Sequence, residues 1–195
     1  MTSAYLRGQE LVDAIQSSSY SRDLIGYHGQ VPHAQWPNQA KIAVQFVLNY
    51  EEGGENHVEH GDLGSEQFLS EIVGAASFNA KHMSMDSMYE YGSRAGFWRI
   101  HQEFQKRGLP MTIFGVGMAL ARNPYVVEAI QQAHYDVVSH GQRWLHYQHI
   151  DIDTERQHMD QAISVLEALF GKTPIGWYTG RDSPNTRQLL AEFPQ

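Results

Sequence analysis

Four short apolar runs recur along the chain after residue 40. They span residues 42–48, 111–116, 135–139 and 175–178. Apolar runs of this length are typical of strands that are covered on both faces, as in parallel sheets flanked by helices. The pattern therefore predicts four parallel strands, of which the first is almost continuously apolar.

Amphipathic segments separate these runs, and each carries residues that start or stop helices. The predicted starts are Ser93, Asn123, Thr154 and Ser183. Each of these side chains can accept a hydrogen bond from the free N–H groups of a first helical turn. Gly108, Gly171 and Pro194 are placed to end three of the helices. The order β-α-β-α-β-α-β-α predicts a parallel α/β fold, either a barrel or an open doubly wound sheet.

The first forty residues do not show this alternation. Residues 20–39 hold two glycines and two prolines among scattered aromatic side chains, which is typical of a loop. We therefore predict an N-terminal arm over residues 1–40 and one α/β domain over residues 41–195. A complete eight-unit barrel takes about 250 residues, so four units make either a small open sheet or the front half of a barrel.

Composition excludes several classes of protein. The 195 residues include 14 Lys and Arg against 22 Asp and Glu, a net charge of −8, which disfavours binding to nucleic acid or an anionic membrane. The chain has no cysteine, which excludes disulfides, a cysteine nucleophile and thiolate metal sites. No apolar run approaches the roughly 18 residues of a membrane span, and residues 1–16 lack a signal-peptide core. We expect a cytoplasmic protein without a membrane partner.

Polar residues follow three of the four predicted strands directly. They occupy residues 49–54, 139–144 and 178–182. Parallel α/β folds bring the carboxyl ends of their strands to one edge, where the loops converge on one crevice. The sequence therefore places its candidate chemistry at this edge.

Four ionisable side chains in these loops suit catalysis or binding. The adjacent Glu51 and Glu52 can divide labour between taking a proton and orienting a partner. His140 changes charge near neutral pH, and the planar fork of Arg181 suits a carboxylate or ureide oxygen. Each also has a purely structural interpretation. Glu51 and Glu52 could form an acidic surface turn, and His140 could be a core histidine whose hydrogen bonds are all made within the protein. Arg181 could form an ion pair with Asp182 or Glu52.

These loops resemble the motifs of the polysaccharide deacetylase superfamily (carbohydrate esterase family 4, NodB-homology domain). Residues 49–53 (Asn-Tyr-Glu-Glu-Gly) stand where that family has Thr-Phe-Asp-Asp-Gly. Residues 140–144 (His-Gly-Gln-Arg-Trp) stand where it has His-Ser/Thr-x-x-His, and Arg181 approximates its third motif. The resemblance implies a distorted TIM-like barrel of parallel strands and outer helices, truncated here to about the first four βα units.

The resemblance also implies roles for the motif residues. Glu51 stands at the position of the base, Glu52 at that of the carboxylate ligand and His140 at that of the first histidine ligand. Trp144 stands at the second histidine position, and an indole cannot ligate a metal. A catalytic zinc normally takes three protein ligands, so we expect no metal and no cofactor. In the alternative with zinc, Glu52 and His140 would hold it.

Longer stretches resemble one branch of the superfamily, the deacetylase-like allantoinases, which are described as metal-independent. They are residues 21–27, 46–55, 89–96, 174–181 and 183–187. This resemblance implies hydrolysis of allantoin, a small ureide, to allantoate in purine breakdown. It also implies a homo-oligomer for the full-length relative.

The expected roles follow from the chemistry of ring opening, which needs an activated water, charge stabilisation and a proton for the departing nitrogen. Glu51 would activate water, and His140 would polarise the carbonyl or shuttle the proton. Substrate contacts would come from Glu52, Arg181, Tyr178, Trp144 and Asn49.

Two other functions remain open from the sequence. The first is a metal-dependent deacetylase of acetylated amino sugars, in which His146 or His149 would replace the missing ligand. The second is a truncated remnant without activity, because half a barrel exposes an unpaired strand edge.

Overall fold

The computed structural model describes residues 5–77, 79–181 and 183–193. The chain divides into two units, Met1–Ala43 and Val44–Gln195. The first unit contains helix α1 (Gly8–Ser17) and a 3₁₀ turn at Pro37–Gln39. The sequence pattern did not predict α1, and the assignment of residues 1–40 to an arm stays a prediction.

The second unit is built on a parallel sheet of three strands. They are β1 (Val47–Tyr50), β2 (Thr112–Gly115) and β3 (Asp136–Ser139), and β2 lies in the centre. Both pairings are parallel, which confirms the predicted α/β class and the second and third strands. The predicted fourth strand is reduced to a parallel bridge between Ser139 and Trp177.

The prediction for the first strand is wrong in its bounds and in its burial. The strand begins at Val47 instead of residue 42, and Val47 and Asn49 are exposed while Tyr50 is buried. Residues 41–47 are exposed and β1 pairs with β2 alone in the part of the chain that the structure describes, so this run lacks the covering layers that its apolar pattern implied. An apolar run predicts burial on both faces only for a strand that neighbours cover.

Six further helices surround this sheet in sequence order. They are α2 (Met83–Tyr91), α3 (Phe97–Arg107), α4 (Gly117–Ala121), α5 (Pro124–Gln132), α6 (Ile152–Phe170) and α7 (Thr186–Leu190). A π-helical turn, Gly92–Gly96, joins α2 to α3. A π turn inside a helix is uncommon and occurs frequently near functional sites.

The predicted helix ends are confirmed better than the predicted starts. Gly108 and Gly171 end α3 and α6 in the left-handed conformation, and the Asn123 side chain accepts from Val126 N at the start of α5. Pro194 lies outside the described residues.

Two predicted helix starts are wrong, whereas Ser183 accepts from the backbone N–H groups of Asn185 and Thr186, at 3.1 and 3.3 Å, as predicted. Ser93 lies inside the π turn, because the helical segment already begins at Met83. Asp151, not Thr154, caps α6: its carboxylate accepts from Thr154 N at 2.9 Å and from Thr154 Oγ1 at 2.6 Å. The last helix itself begins at Thr186.

The core lies between β2 and the helices that follow it. Its fully buried members include Ile113, Val116, Leu120, Ile130 and Leu166. This packing fixes the carboxyl ends of the three strands at one edge. None of the helices within the described ranges is long and apolar enough to cross a lipid bilayer.

The contact between Gly115 and Leu120 predicts a stability effect. A Cβ at Gly115 would overlap Leu120 Cδ1, and the Leu120 side chain is fully buried. Gly115→Ala should therefore destabilise the protein by about 1–3 kcal/mol, a fall in Tm of about 2–10 °C by circular dichroism. Gly176→Ala is the matched control, since the nearest atom to its Cβ is 4.0 Å away. Equal Tm values for the two variants would contradict this account of the core.

Candidate active site

The three predicted loops meet at the carboxyl edge of the sheet. His140 follows β3, and its backbone N–H donates to the carbonyl of Gly115 at the end of β2. Trp144 N donates to the carbonyl of Gly54, four residues after β1. These bonds, both 2.9 Å long, bring the loop after β3 against the loop after β1.

His140 is held by one hydrogen bond at each ring nitrogen. Nδ1 lies 2.7 Å from the carbonyl oxygen of Tyr178, and Nε2 lies 2.7 Å from Oε1 of Glu51. A carbonyl oxygen only accepts, so Nδ1 carries a proton and donates. The short contact between Nε2 and Glu51 Oε1 then requires one proton between the two atoms. This proton lies either on Nε2, which makes His140 an imidazolium, or on Oε1, which makes Glu51 a neutral carboxyl. The His140 side chain is 1% exposed and that of Glu51 is 21% exposed, so this proton sits away from bulk water.

Aromatic rings and a glycine fix the orientation of His140. Its ring stacks on that of Tyr178 with 5.5 Å between centroids, and Phe114 lies 5.9 Å away. A Cβ at Gly180 would lie 2.8 Å from His140 Nε2 and 2.8 Å from Trp144 Cδ1. Glycine at position 180 therefore permits the close approach of the imidazole and the indole.

Glu51 receives a second hydrogen bond at the same oxygen. Asn49 Nδ2 donates to Glu51 Oε1 over 3.2 Å. Asn49, predicted to contact substrate, therefore lies in the site as a neighbour of Glu51. Its donor stabilises the ionised form of the carboxylate.

Glu52 occupies a different environment from Glu51. Its Oε2 accepts from the backbone N–H of Glu51, and its side chain packs against Gly92 in the π turn. Burial raises the pKa of Glu52, and the charge of Glu51 raises it further. The structure thus places a carboxyl with a raised pKa beside the pair of Glu51 and His140.

Arg181 is engaged by a partner that the sequence did not predict. Its Nη2 donates to Oε2 of Glu66 over 2.8 Å, and both side chains are less than 10% exposed. Its guanidinium lies 3.8 Å from the ring centroid of Trp144, within cation–π distance. Of the two predicted ion-pair partners, Asp182 lies outside the described residues, and Glu66 takes the place expected for Glu52.

A cavity of about 140 Å³ lies beside this cluster. It is lined by Asn49, Glu51, Glu52, Glu55, Leu69, Tyr89 and Trp144. Four of these were predicted site residues, whereas Glu55, Leu69 and Tyr89 were missed because they belong to the long polar segment between β1 and α3. Two predicted contacts, Tyr178 and Arg181, lie outside this lining.

Comparison with known proteins identifies the family. Residues 79–193 match the family described as Polysaccharide deacetylase, which is more than half of the chain. This chain is a member of that family. It is 42% identical over 177 residues to a Schizosaccharomyces pombe protein named "Putative polysaccharide deacetylase", a match that covers 88% of this chain and 55% of the yeast protein.

Two solved structures of similar sequence share the fold. One is PuuE allantoinase, with 53% identity, a TM-score of 0.84, and coverage of 90% of this chain and 58% of that one. The other is a "probable Polysaccharide deacetylase" from Pseudomonas aeruginosa PAO1, with 54% identity, a TM-score of 0.83, and coverage of 89% and 58%. The chain thus spans a little over half the length of these relatives.

The described residues do not fit the zinc that the wider deacetylase family implies. Across residues 5–77, 79–181 and 183–193, no three His, Asp or Glu side chains form a group that could hold a metal ion. Both nitrogens of His140 are engaged, and Trp144 offers no lone pair at the second histidine position. His146 and His149 are exposed. We derive no step through a metal, and the absence of a cofactor stays a prediction.

The raised pKa of Glu52 predicts that this residue lowers the free energy of unfolding by an amount that depends on pH. Between the ordinary and the raised pKa, the folded state binds more protons than the unfolded state, so the free energy of unfolding falls as the pH rises. Glu52→Gln keeps an acceptor for Glu51 N but cannot ionise. It should be more stable than the wild type above this window, and the difference should shrink as the pH falls through it.

Urea unfolding between pH 4 and pH 8 measures this effect. Glu71→Gln is the control, because Glu71 is exposed on the same long segment. A constant difference between Glu52→Gln and the wild type at every pH would contradict the environment assigned to Glu52.

Proposed function

We propose that this chain carries the catalytic half of a cyclic-amide hydrolase that opens the hydantoin ring of allantoin to allantoate. The observation that carries the proposal is the hydrogen bond between His140 Nε2 and Glu51 Oε1, with Trp144 at the second histidine position of the deacetylase motif. The 53% identity to PuuE allantoinase supports it. In the same proposal, the three strands and the Trp177 segment are the first four strands of a distorted TIM-like barrel.

Glu51 is placed to activate water. Its Oε1 accepts from His140 and Asn49, so Oε2 is the oxygen available to take a proton from a water in the cavity. The water oxygen bonds to the ring carbonyl carbon as its proton moves to Glu51. His140, fixed by the Tyr178 carbonyl, donates its own Nε2 proton to Oε1 and so holds the Glu51 carboxylate in place while Oε2 takes the water proton.

Glu52 is placed to act as the acid. Its raised pKa favours the neutral carboxyl, which can donate a hydrogen bond to the carbonyl oxygen as negative charge develops there. When the ring C–N bond breaks, the proton that Glu51 took from water passes to the departing nitrogen, and the new carboxylic acid loses its own proton to solvent to become a carboxylate. Arg181 has no assigned contact with substrate in this scheme, since Glu66 and Trp144 engage its guanidinium.

A second candidate is an N-deacetylase of acetylated amino sugars. The yeast and Pseudomonas relatives, with names that refer to polysaccharide deacetylases, favour it. It shares the base position of Glu51 but needs a ligand where Trp144 stands. The cytoplasmic location, the small ureide substrate and the homo-oligomeric state of the full-length relative remain parts of the first proposal.

Turnover of allantoin tests the proposed function. We expect the purified protein to convert allantoin to allantoate only weakly, and ¹³C NMR of the new carboxylate measures this conversion. Glu51→Gln should lower kcat/KM by about 10²–10⁴-fold, because it removes the base while it keeps the shape. Glu71→Gln should change kcat/KM by less than about twofold.

Acetate release from chitooligosaccharides is measured in parallel. Acetate without allantoate would support the deacetylase instead. A folded protein that forms neither product would support the inactive remnant, with folding checked by circular dichroism.

Metal removal separates the first two candidates in a second way. After dialysis against EDTA, allantoin turnover should stay within about twofold of the untreated protein, because the described donors do not fit a zinc site. Activity that disappears with EDTA and returns with added zinc would overturn the metal-free assignment.

A further inference from the structure

Leu69 combines an unfavourable backbone with an exposed side chain at the cavity. Its φ is 67°, in the left-handed region that leucine rarely adopts. The residue is 66% exposed, so burial of the side chain does not account for this conformation. Leu69 nevertheless lines the cavity that contains Glu51. Strained residues that persist in a folded protein cluster at ligand sites, which makes Leu69 a candidate for a role in binding.

The segment that leads into Leu69 is anchored at Glu66. The Glu66 carboxylate accepts from the backbone N–H groups of Gln67 and Phe68, at 3.0 and 2.9 Å, and so shapes the turn before Leu69. Its other oxygen accepts from Arg181 Nη2 at 2.8 Å. The same oxygen accepts from Asn56 Nδ2 at 3.1 Å. Arg181 and Asn56 therefore both hold, through one nearly buried carboxylate, the backbone that presents Leu69.

Trp144 joins this anchor to the cavity. Its ring lies 3.8 Å from the Arg181 guanidinium and 5.7 Å from the ring of Phe68, measured to the centroids. The carbonyl of Phe68 also accepts from Tyr89 Oη at 3.0 Å. Trp144 and Tyr89 both line the cavity, so the two contacts that fix Phe68 come from the walls beside Leu69.

We propose that Leu69 is the wall that selects small hydantoins over bulkier ones, and that Arg181 is a positioning residue that holds this wall through Glu66. The proposal rests on the proposed function and names the determinant of its substrate size. Leu69 supplies aliphatic bulk to a cavity of about 140 Å³ whose other walls are four polar side chains and two aromatic ones. A bulkier substituent on the ring would meet this side chain first.

Substitution of Leu69 tests the selecting wall. Leu69→Ala should lower the preference for allantoin over 5-benzylhydantoin by at least about tenfold, since a pocket discriminates by roughly 10–200-fold per methylene. The preference is the ratio of the two dissociation constants by isothermal titration calorimetry and, where turnover occurs, of kcat/KM. Leu63→Ala is the matched control, because Leu63 is 91% exposed and lies outside this lining.

A glycine at position 69 distinguishes an effect on substrate preference from an effect on stability. Leu69→Gly removes the wall and also relieves the left-handed backbone, so its Tm should not fall below that of the wild type. It should lose the preference as Leu69→Ala does. Unchanged preference in both variants, with allantoin still bound, would overturn the selecting wall and leave the proposed function in place.

A double variant tests the role of Arg181, because substitutions that act through the same wall should not have additive effects on the preference. Arg181→Met should lower the same preference, but in the Leu69→Ala background it should add less than about twofold, because the wall is already gone. Arg181→Lys, which keeps the charge beside Glu66, should recover part of the effect. Additive losses would mean that Arg181 acts on the ligand directly, and would overturn the positioning role.

Limited proteolysis gives a readout that needs no ligand. Arg181→Met should speed chymotrypsin cleavage after Phe68 or Leu69 by at least about threefold, because one anchor of this segment is lost while Asn56 and Tyr89 remain. Unchanged cleavage would overturn the positioning role. A wild-type protein that binds no hydantoin would overturn the proposed function and the selecting wall, and cleavage would still decide whether Arg181 holds the segment.

Discussion

The hydrogen bond between His140 Nδ1 and the carbonyl of Tyr178 is the constraint on which the rest of the site depends. A carbonyl has no proton to give, so this bond decides that Nδ1 is the donor and that Nε2 faces Glu51. Tyr178 can serve in this way because the parallel bridge between Ser139 and Trp177 sets the residues that follow each strand side by side. The sheet therefore fixes which nitrogen of His140 donates to the Tyr178 carbonyl.

Trp144 changes more than the capacity of the site to bind metal. Its indole fills the space beside Gly180 and offers a flat face to Arg181, which in turn pairs with Glu66. A cation that would otherwise face the cavity is thereby neutralised and nearly buried. The negative charge at Glu51 then has His140 as its nearest titratable partner, which suits proton transfer better than tight binding of an anion.

The sequence predicted the parts of this molecule that depend on local chemistry. Asn123, Gly108 and Gly171 act at helix ends through their own side chain or backbone freedom, so their roles can be inferred from neighbouring residues. The runs around Ile113 and Val137 predicted strands because both lie where the sheet is covered. The strand β1 was misplaced because its position at the edge depends on distant neighbours.

The candidate site divides in the same way. Glu51 and His140 could be paired from the sequence because each follows a strand, and parallel strands end at one edge. Glu66 and Leu69 could not be found, since they lie in a long segment with no periodic pattern. Their positions depend on contacts with Arg181, more than a hundred residues away in the chain.

Two adjacent glutamates have different surroundings in this site, which suits them to different roles in the proposed reaction. Oε1 of Glu51 contacts an imidazole and an amide donor, whereas burial raises the pKa of Glu52. Hydrolysis of an amide needs both a base for water and an acid for the developing charge or the leaving nitrogen. In the proposed reaction Glu51 supplies the base, and the raised pKa of Glu52 suits it to the role of the acid, so two neighbouring carboxyls can supply both roles.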